Sequence, residues 1–119
     1  MPDGRADSEA LAAADRWLAL IDRGDADASW AAAASLFQAG VDAPRWTQAL
    51  ESVQRTLGRP VARDVASVRY ATELPGAPDG EYVVIEYATT FGAKKHGAER
   101  VVVMKEGDGA WRVAGYHVR

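Results

Sequence analysis

Cysteine is absent from the 119 residues of this chain. Its absence excludes a catalytic thiol, a cysteine-ligated zinc site and a disulfide framework. Histidine occurs only at His96 and His117, and no His-x-x-His or paired-carboxylate spacing suits metal ligation. We therefore expect neither a metal site nor a cofactor.

An excess of positive charge is also missing. The chain has 14 Lys and Arg against 17 Asp and Glu, a net charge of −3, whereas nucleic-acid binders usually carry a strongly basic patch. No apolar run approaches the roughly 18 residues of a membrane span. Residues 1–7 contain no apolar signal region, so we expect either a protein made in the cytoplasm or one whose leader peptide has been removed, and we interpret these residues as a flexible tail. The length then fits a single domain over residues 8–119.

The residues that are present divide the chain at Gly58. Before it, alanine-rich segments have helical periodicity, and valine occurs only at Val41 and Val53. From Arg59 onward there are ten valines, with tyrosine and threonine in alternating runs. Helices followed by strands predict an α+β domain in which the helices cover one face of an antiparallel sheet.

Capping residues and glycines define three predicted helices. A Ser or Asp side chain can accept a hydrogen bond from a free amide in the first turn, and glycine readily ends a helix. The predicted helices, with their caps, are Ser8–Arg23, Asp25–Gly40 and Asp42–Leu57.

Alternating apolar residues between turns define four predicted strands, which are about Val61–Leu74, Glu81–Phe91, Glu99–Glu106 and Ala110–Val118. Short turns between consecutive strands favour a four-stranded meander, with the three helices packed on its apolar face. A twisted sheet against helices favours a concave pocket between the layers. The alternation places Arg63 and Tyr116 on the open face and His117 on the helix-covered face, and it leaves the facing of the third strand undecided.

Three segments resemble a known family. They are Trp-Leu-Ala-Leu-Ile-Asp at 17–22, Pro-Gly-Ala-Pro-Asp-Gly-Glu-Tyr at 75–82 and Trp-Arg-Val-Ala-Gly-Tyr at 111–116. With the spacing of the tryptophans, they are similar to the bacterial domain-of-unknown-function family number four thousand and nineteen over roughly residues 10–119. The resemblance implies a small cone-like domain of the cystatin or nuclear-transport-factor-two-like (NTF2-like) kind, and an exported or periplasmic protein. It implies no established activity and no catalytic residues.

Four side chains are predicted to line a ligand site in the cleft, namely Trp17, Tyr70, Tyr87 and His117. The tryptophans are best explained as core residues, because each ring buries a large area. A histidine near two phenols is a candidate acid–base group. However, no Asp or Glu is predicted deep on the inner face, which argues against catalysis.

Two functional hypotheses follow, and the sequence leaves open whether the domain is catalytic. The first is a non-catalytic module that binds a small apolar ligand or a protein partner through its cleft or its open sheet face. The alternative is a small cone-fold isomerase or hydrolase acting on an apolar molecule, with His117 and Tyr87 as the acid–base pair. The open face also favours a homodimer, with Tyr82 and Tyr116 at the interface.

Overall fold

Four helices precede four strands in the computed structural model, which describes residues 4–119. The helices are α1 (Arg5–Asp22), α2 (Ala26–Ala32), α3 (Ser35–Gly40) and α4 (Ala43–Leu57). The strands are β1 (Pro60–Ala71), β2 (Tyr82–Phe91), β3 (Gly97–Lys105) and β4 (Trp111–Val118). They form one antiparallel sheet in the order β1-β2-β3-β4, as the predicted meander requires. None of the helices in the described range is long and apolar enough to cross a membrane.

Side-chain caps and a glycine set the helix ends where the sequence predicts them. Asp25 accepts a hydrogen bond from the backbone N–H three residues ahead at 3.2 Å, and Asp42 does the same at 2.9 Å. Gly58 ends α4 with a φ of +79°, a conformation that residues with a Cβ rarely adopt. These local signals confirm the third predicted helix and the start of the second.

The start of α1 differs from the prediction. The helix begins at Arg5 rather than after Ser8, because Gly4 at φ +85° turns the chain into the helix without a side-chain cap. Residues 5–7 of the predicted tail are therefore helical, and residues 1–3 lie outside the described residues.

The second predicted helix is in fact two short helices. Ala33 and Ala34, between α2 and α3, have extended backbones with ψ values of 163° and 156°. The N–H of Ala34 donates instead to the carbonyl of Val113 on β4, at 2.8 Å. The break attaches the chain to the free edge of β4, a tertiary contact that helical periodicity cannot reveal.

The core lies between the helices and the sheet face that they cover, called here the inner face; the other is the open face. The buried residues of α1 are Ala10, Ala13, Ala14, Trp17, Leu18 and Ile21. They pack against alternate residues of the two central strands, which are Val83, Ile85, Tyr87, Val101 and Val103. This arrangement leaves β1, at one edge, the most exposed strand, with Val65 half exposed.

A β-bulge in β1 changes which residues face the helices. Val65 pairs with Tyr87 and Ser67 pairs with the next residue, Glu86, so Ala66 is an extra residue that reverses the alternation. Arg63 therefore lies on the inner face, and its predicted place on the open face is wrong.

A second bulge has the same effect in β4. Val113 pairs with Val103 and Gly115 pairs with Val102, which leaves Ala114 unpaired. Tyr116 consequently lies on the inner face, while His117 lies on the open face opposite Arg100. The predicted facing of both residues is wrong for this reason.

The hairpin between β2 and β3 depends on the absence of a side chain at Gly97. A Cβ there would lie 2.6 Å from the buried ring of Phe91, whereas a Cβ at Gly107 would meet no atom within 4 Å. We expect Gly97→Ala to lower the free energy of unfolding by about 1–3 kcal/mol through overpacking.

Urea denaturation of the two alanine variants tests this expectation. Gly107→Ala is the matched control and should stay within about 0.5 kcal/mol of the unmodified protein. Equal stabilities for the two variants would contradict the close packing of Phe91 on Gly97.

Candidate functional site

A buried carboxylate lies on the inner face, near the start of β3. The side chain of Glu99 on β3 is 1% exposed. Its Oε1 accepts hydrogen bonds from Arg63 Nε at 2.7 Å and Thr89 Oγ1 at 2.6 Å. Its Oε2 accepts from Arg63 Nη2 at 3.2 Å and from the hydroxyl of Tyr116 at 2.5 Å. We call these residues, together with Asp22, the Glu99 cluster.

Arg63 extends the cluster to α1. Its Nη1 and Nη2 donate to the two carboxylate oxygens of Asp22, the last residue of the helix, at 2.9 and 3.0 Å. Burial alone would lower the pKa of this guanidinium, but the hydrogen bonds and charges of Asp22 and Glu99 outweigh burial and raise the pKa. Arg63 is therefore a fixed positive charge between two carboxylates.

Two phenols on the inner face remain protonated at neutral pH. Burial raises the pKa of Tyr116, and the charge and hydrogen bond of Glu99 raise it further. Burial also raises the pKa of Tyr87, whose hydroxyl lies 3.5 Å from Asp15 Oδ1. Both groups can donate a hydrogen bond, and neither is suited to accept a proton as a base.

The cluster has little capacity for proton transfer. A carboxylate offers about four lone-pair positions, and those of Glu99 receive four hydrogen bonds from protein groups. A general base must reach the proton that it removes, directly or through one water. The arrangement of Glu99 fits structural pairing better than acid–base chemistry.

The structure does not bring the four predicted ligand-binding residues together. Trp17 and Tyr87 lie in the core, and Tyr70 packs at its margin, with its hydroxyl donating to Glu81 Oε1 at 3.0 Å. His117 is exposed on the opposite face of the sheet. The predicted pairing of His117 with Tyr87 as acid and base is therefore geometrically excluded.

The expectation that no acid lies deep on the inner face is also wrong. Glu99 is fully buried there. Glu99, Val101 and Val103 are every second residue of β3, so their side chains lie on the same inner face. This spacing of two residues from the valines is the sequence signal that could have placed Glu99 on the inner face. No comparable signal existed for Arg63 and Tyr116, because the bulges reverse the alternation of their strands.

Aromatic rings fill the space between the helices and the sheet. The ring of Trp17 contacts those of Phe37, Trp46 and Tyr116, with centroid distances of 5.9, 5.8 and 5.4 Å. The indole N–H of Trp17 donates to the carbonyl of Ser29, and that of Trp46 donates to the Ser29 hydroxyl, each at 2.9 Å. These tryptophans are packing residues, as the sequence favours.

A surface groove lies where α1 and α2 meet the start of β4. It has a volume of about 480 Å³ and is named here the α1 groove. The residues used to define it are Ala13, Arg16, Leu20, Ala32, Trp111 and Val113. Trp17 also lines it, so this predicted ligand-binding residue does border a pocket.

The open face carries a smaller pocket beside His117. Its volume is about 220 Å³, and Glu86 and Arg100, which form an ion pair at 2.6 Å, also line it. Within residues 4–119, no group of three or more potential metal ligands comes together.

The comparisons with known proteins agree with this fold. A ketosteroid isomerase-like protein from Erwinia carotovora atroseptica SCRI1043 has a similar structure, with a TM-score of 0.59 and 19% sequence identity. The similarity covers 96% of this chain and 95% of that one, and it confirms the predicted α+β, NTF2-like fold. No curated protein matches the chain in sequence. The family model described as "Protein of unknown function (DUF4019)" matches residues 13–116, and the chain belongs to this family.

Proposed function

We propose that this domain is a non-catalytic binding module whose interior serves stability and whose surface holds the ligand. The observation that carries the proposal is the complete hydrogen bonding of Glu99 by Arg63, Thr89 and Tyr116. A carboxylate in this state has no lone pair directed at a substrate. Its nearest partners are a permanently charged guanidinium and two hydroxyl groups, none of which is a base at neutral pH.

The packed interior supports the same conclusion. Enzyme and ligand sites in small domains are usually preformed concave pockets with a few polar groups. Here the contacting rings of Trp17, Phe37, Trp46 and Tyr116 occupy the space between the layers. A substrate could enter this region only by displacing rings that each bury on the order of 150–250 Å².

The alternative function, that of an isomerase or hydrolase, is not supported by the arrangement of its predicted catalytic residues. The similar structure is titled ketosteroid isomerase-like, but at 19% identity it supports only the fold. The acid–base pair predicted for this chain, His117 and Tyr87, is divided between the two faces of the sheet.

A small ligand is a better candidate for the binding partner of this domain than a second copy of the chain. A homodimer through the open face was expected to use Tyr82 and Tyr116. Tyr82 is 0% exposed, with its hydroxyl donating to the carbonyl of Pro78, and Tyr116 faces the helices. Without these rings, no exposed Phe, Trp or Tyr among residues 4–119 remains on the open face for an interface.

An isomerase assay tests the absence of catalysis. We expect the purified protein to convert a β,γ-unsaturated ketosteroid to its conjugated enone no faster than buffer does, because the buried carboxylate of Glu99 is fully hydrogen-bonded by protein groups. The absorbance of the enone product measures turnover. The variant Glu99→Gln, assayed in the same way, shows whether any turnover depends on Glu99. Turnover above buffer that Glu99→Gln removes while circular dichroism stays unchanged would contradict the proposal.

Alkaline unfolding tests the structural role of Tyr116. An unfolded tyrosine loses its proton near pH 10, whereas the raised pKa keeps native Tyr116 protonated above that pH. The native state then binds more protons than the unfolded state. Its free energy of unfolding should fall by about 1.4 kcal/mol per pH unit for each such group.

Urea denaturation between about pH 9 and pH 11 measures this slope. Tyr116→Phe should be less stable at every pH, because a hydrogen bond to Glu99 is lost, and should show a shallower decline above pH 10. An identical slope in the variant and the unmodified protein would show that Tyr116 titrates normally in the native state.

A further inference from the structure

We infer that the α1 groove binds a small amphipathic anion, a molecule with an apolar body and a single carboxylate. This inference rests on the proposed binding function and specifies its ligand. The groove volume of about 480 Å³ lies within the range of about 300–1,000 Å³ that is typical of small-molecule sites.

The floor and walls of the groove are apolar. Ala13, Trp17 and Val113 are buried beneath it, while the more accessible Leu20 and Ala32 form its sides. The indole N–H of Trp17 is committed to Ser29, so this ring offers the groove no free donor. The second indole, that of Trp111, donates to Glu9 Oε2 at 3.0 Å. The groove therefore favours hydrocarbon over a polar ligand body.

One uncompensated positive charge lies at the edge of this apolar surface. Arg112 lines the groove, but its guanidinium pairs with Glu106 at 3.0 Å and Asp108 at 2.9 Å. Arg16 is exposed, and its side chain has no ion pair or hydrogen bond within residues 4–119. A guanidinium binds a carboxylate through two parallel hydrogen bonds, which makes a carboxylate the matching ligand group.

The surroundings of Arg16 also limit where the negative charge can lie. A second pocket of about 270 Å³ is lined by Arg16 and by Glu9, one of the acidic residues of α1. A ligand anion beside Glu9 would be repelled, so the ligand carboxylate belongs at Arg16 and the apolar body belongs toward Leu20 and Val113.

Two probes with the same apolar body test the inference. They are 4-phenylbutyrate and its neutral amide, 4-phenylbutyramide, each titrated into ¹⁵N-labelled protein and followed by amide shifts. We expect saturable shifts confined to residues 12–20, 30–33 and 109–113, with the carboxylate binding about two- to fivefold more tightly than the amide.

Two pairs of variants distinguish the contribution of the Arg16 charge to probe binding from the contribution of the apolar groove. Arg16→Gln should weaken binding of the carboxylate to the level of the amide and leave the amide unaffected. Arg23→Gln, another exposed arginine following α1, is its control and should change neither affinity. Ala32→Phe should fill the groove and abolish binding of both probes, whereas Ala31→Phe, equally exposed on the same helix, should preserve it.

Three results would overturn the inference: no saturable shift with either probe, saturable shifts located elsewhere, or an unchanged preference for the carboxylate in Arg16→Gln. These results concern the groove alone and leave the non-catalytic interior as proposed. Isomerase turnover that depends on Glu99 would instead remove the proposed function, whether or not the probes bind.

Discussion

The guanidinium of Arg63 is the group on which the arrangement of helices and sheet depends. It pairs with Glu99 on β3 and with Asp22 at the end of α1, so one side chain joins the sheet to its longest covering helix. Burying such ions costs several kcal/mol each unless pairing and hydrogen bonding compensate. Compensation is complete at Glu99 because β2 supplies Thr89 and β4 supplies Tyr116. Each strand contributes one residue, so the cluster is complete only in the native register.

The elements of the fold are predictable from the sequence, whereas the composition of the cluster is not. Helix ends follow from local chemistry at Asp25, Asp42 and Gly58, and the strand order follows from short turns between valine-rich runs. Side-chain facing depends on an unbroken alternation, which the bulges at Ala66 and Ala114 interrupt. Alanine at these positions looks like any other strand residue. Glu99, on an unbulged strand, could have been predicted from its alternation with the buried valines.

In the proposal made here, stability and binding belong to different parts of the molecule. In the interior, the carboxylate of Glu99 is fully hydrogen-bonded and the rings of Trp17 and Trp46 pack against each other. The surface beside α1 combines the opposite features, an accessible apolar groove and a cation without a partner in the described chain. A fold similar to that of a ketosteroid isomerase-like protein is therefore compatible with an interior that is filled by rings and whose charges are paired.

A double-mutant cycle on Arg63 and Glu99 tests the central interaction most directly. Methionine replaces either side chain without a charge and with similar length. Arg63→Met should lower the free energy of unfolding by about 3–5 kcal/mol, because it leaves a buried carboxylate without its cation. The double variant should be less destabilised than the sum of the single variants by at least about 2 kcal/mol. Costs that add to within about 0.5 kcal/mol would contradict the account, since the two groups would then act independently.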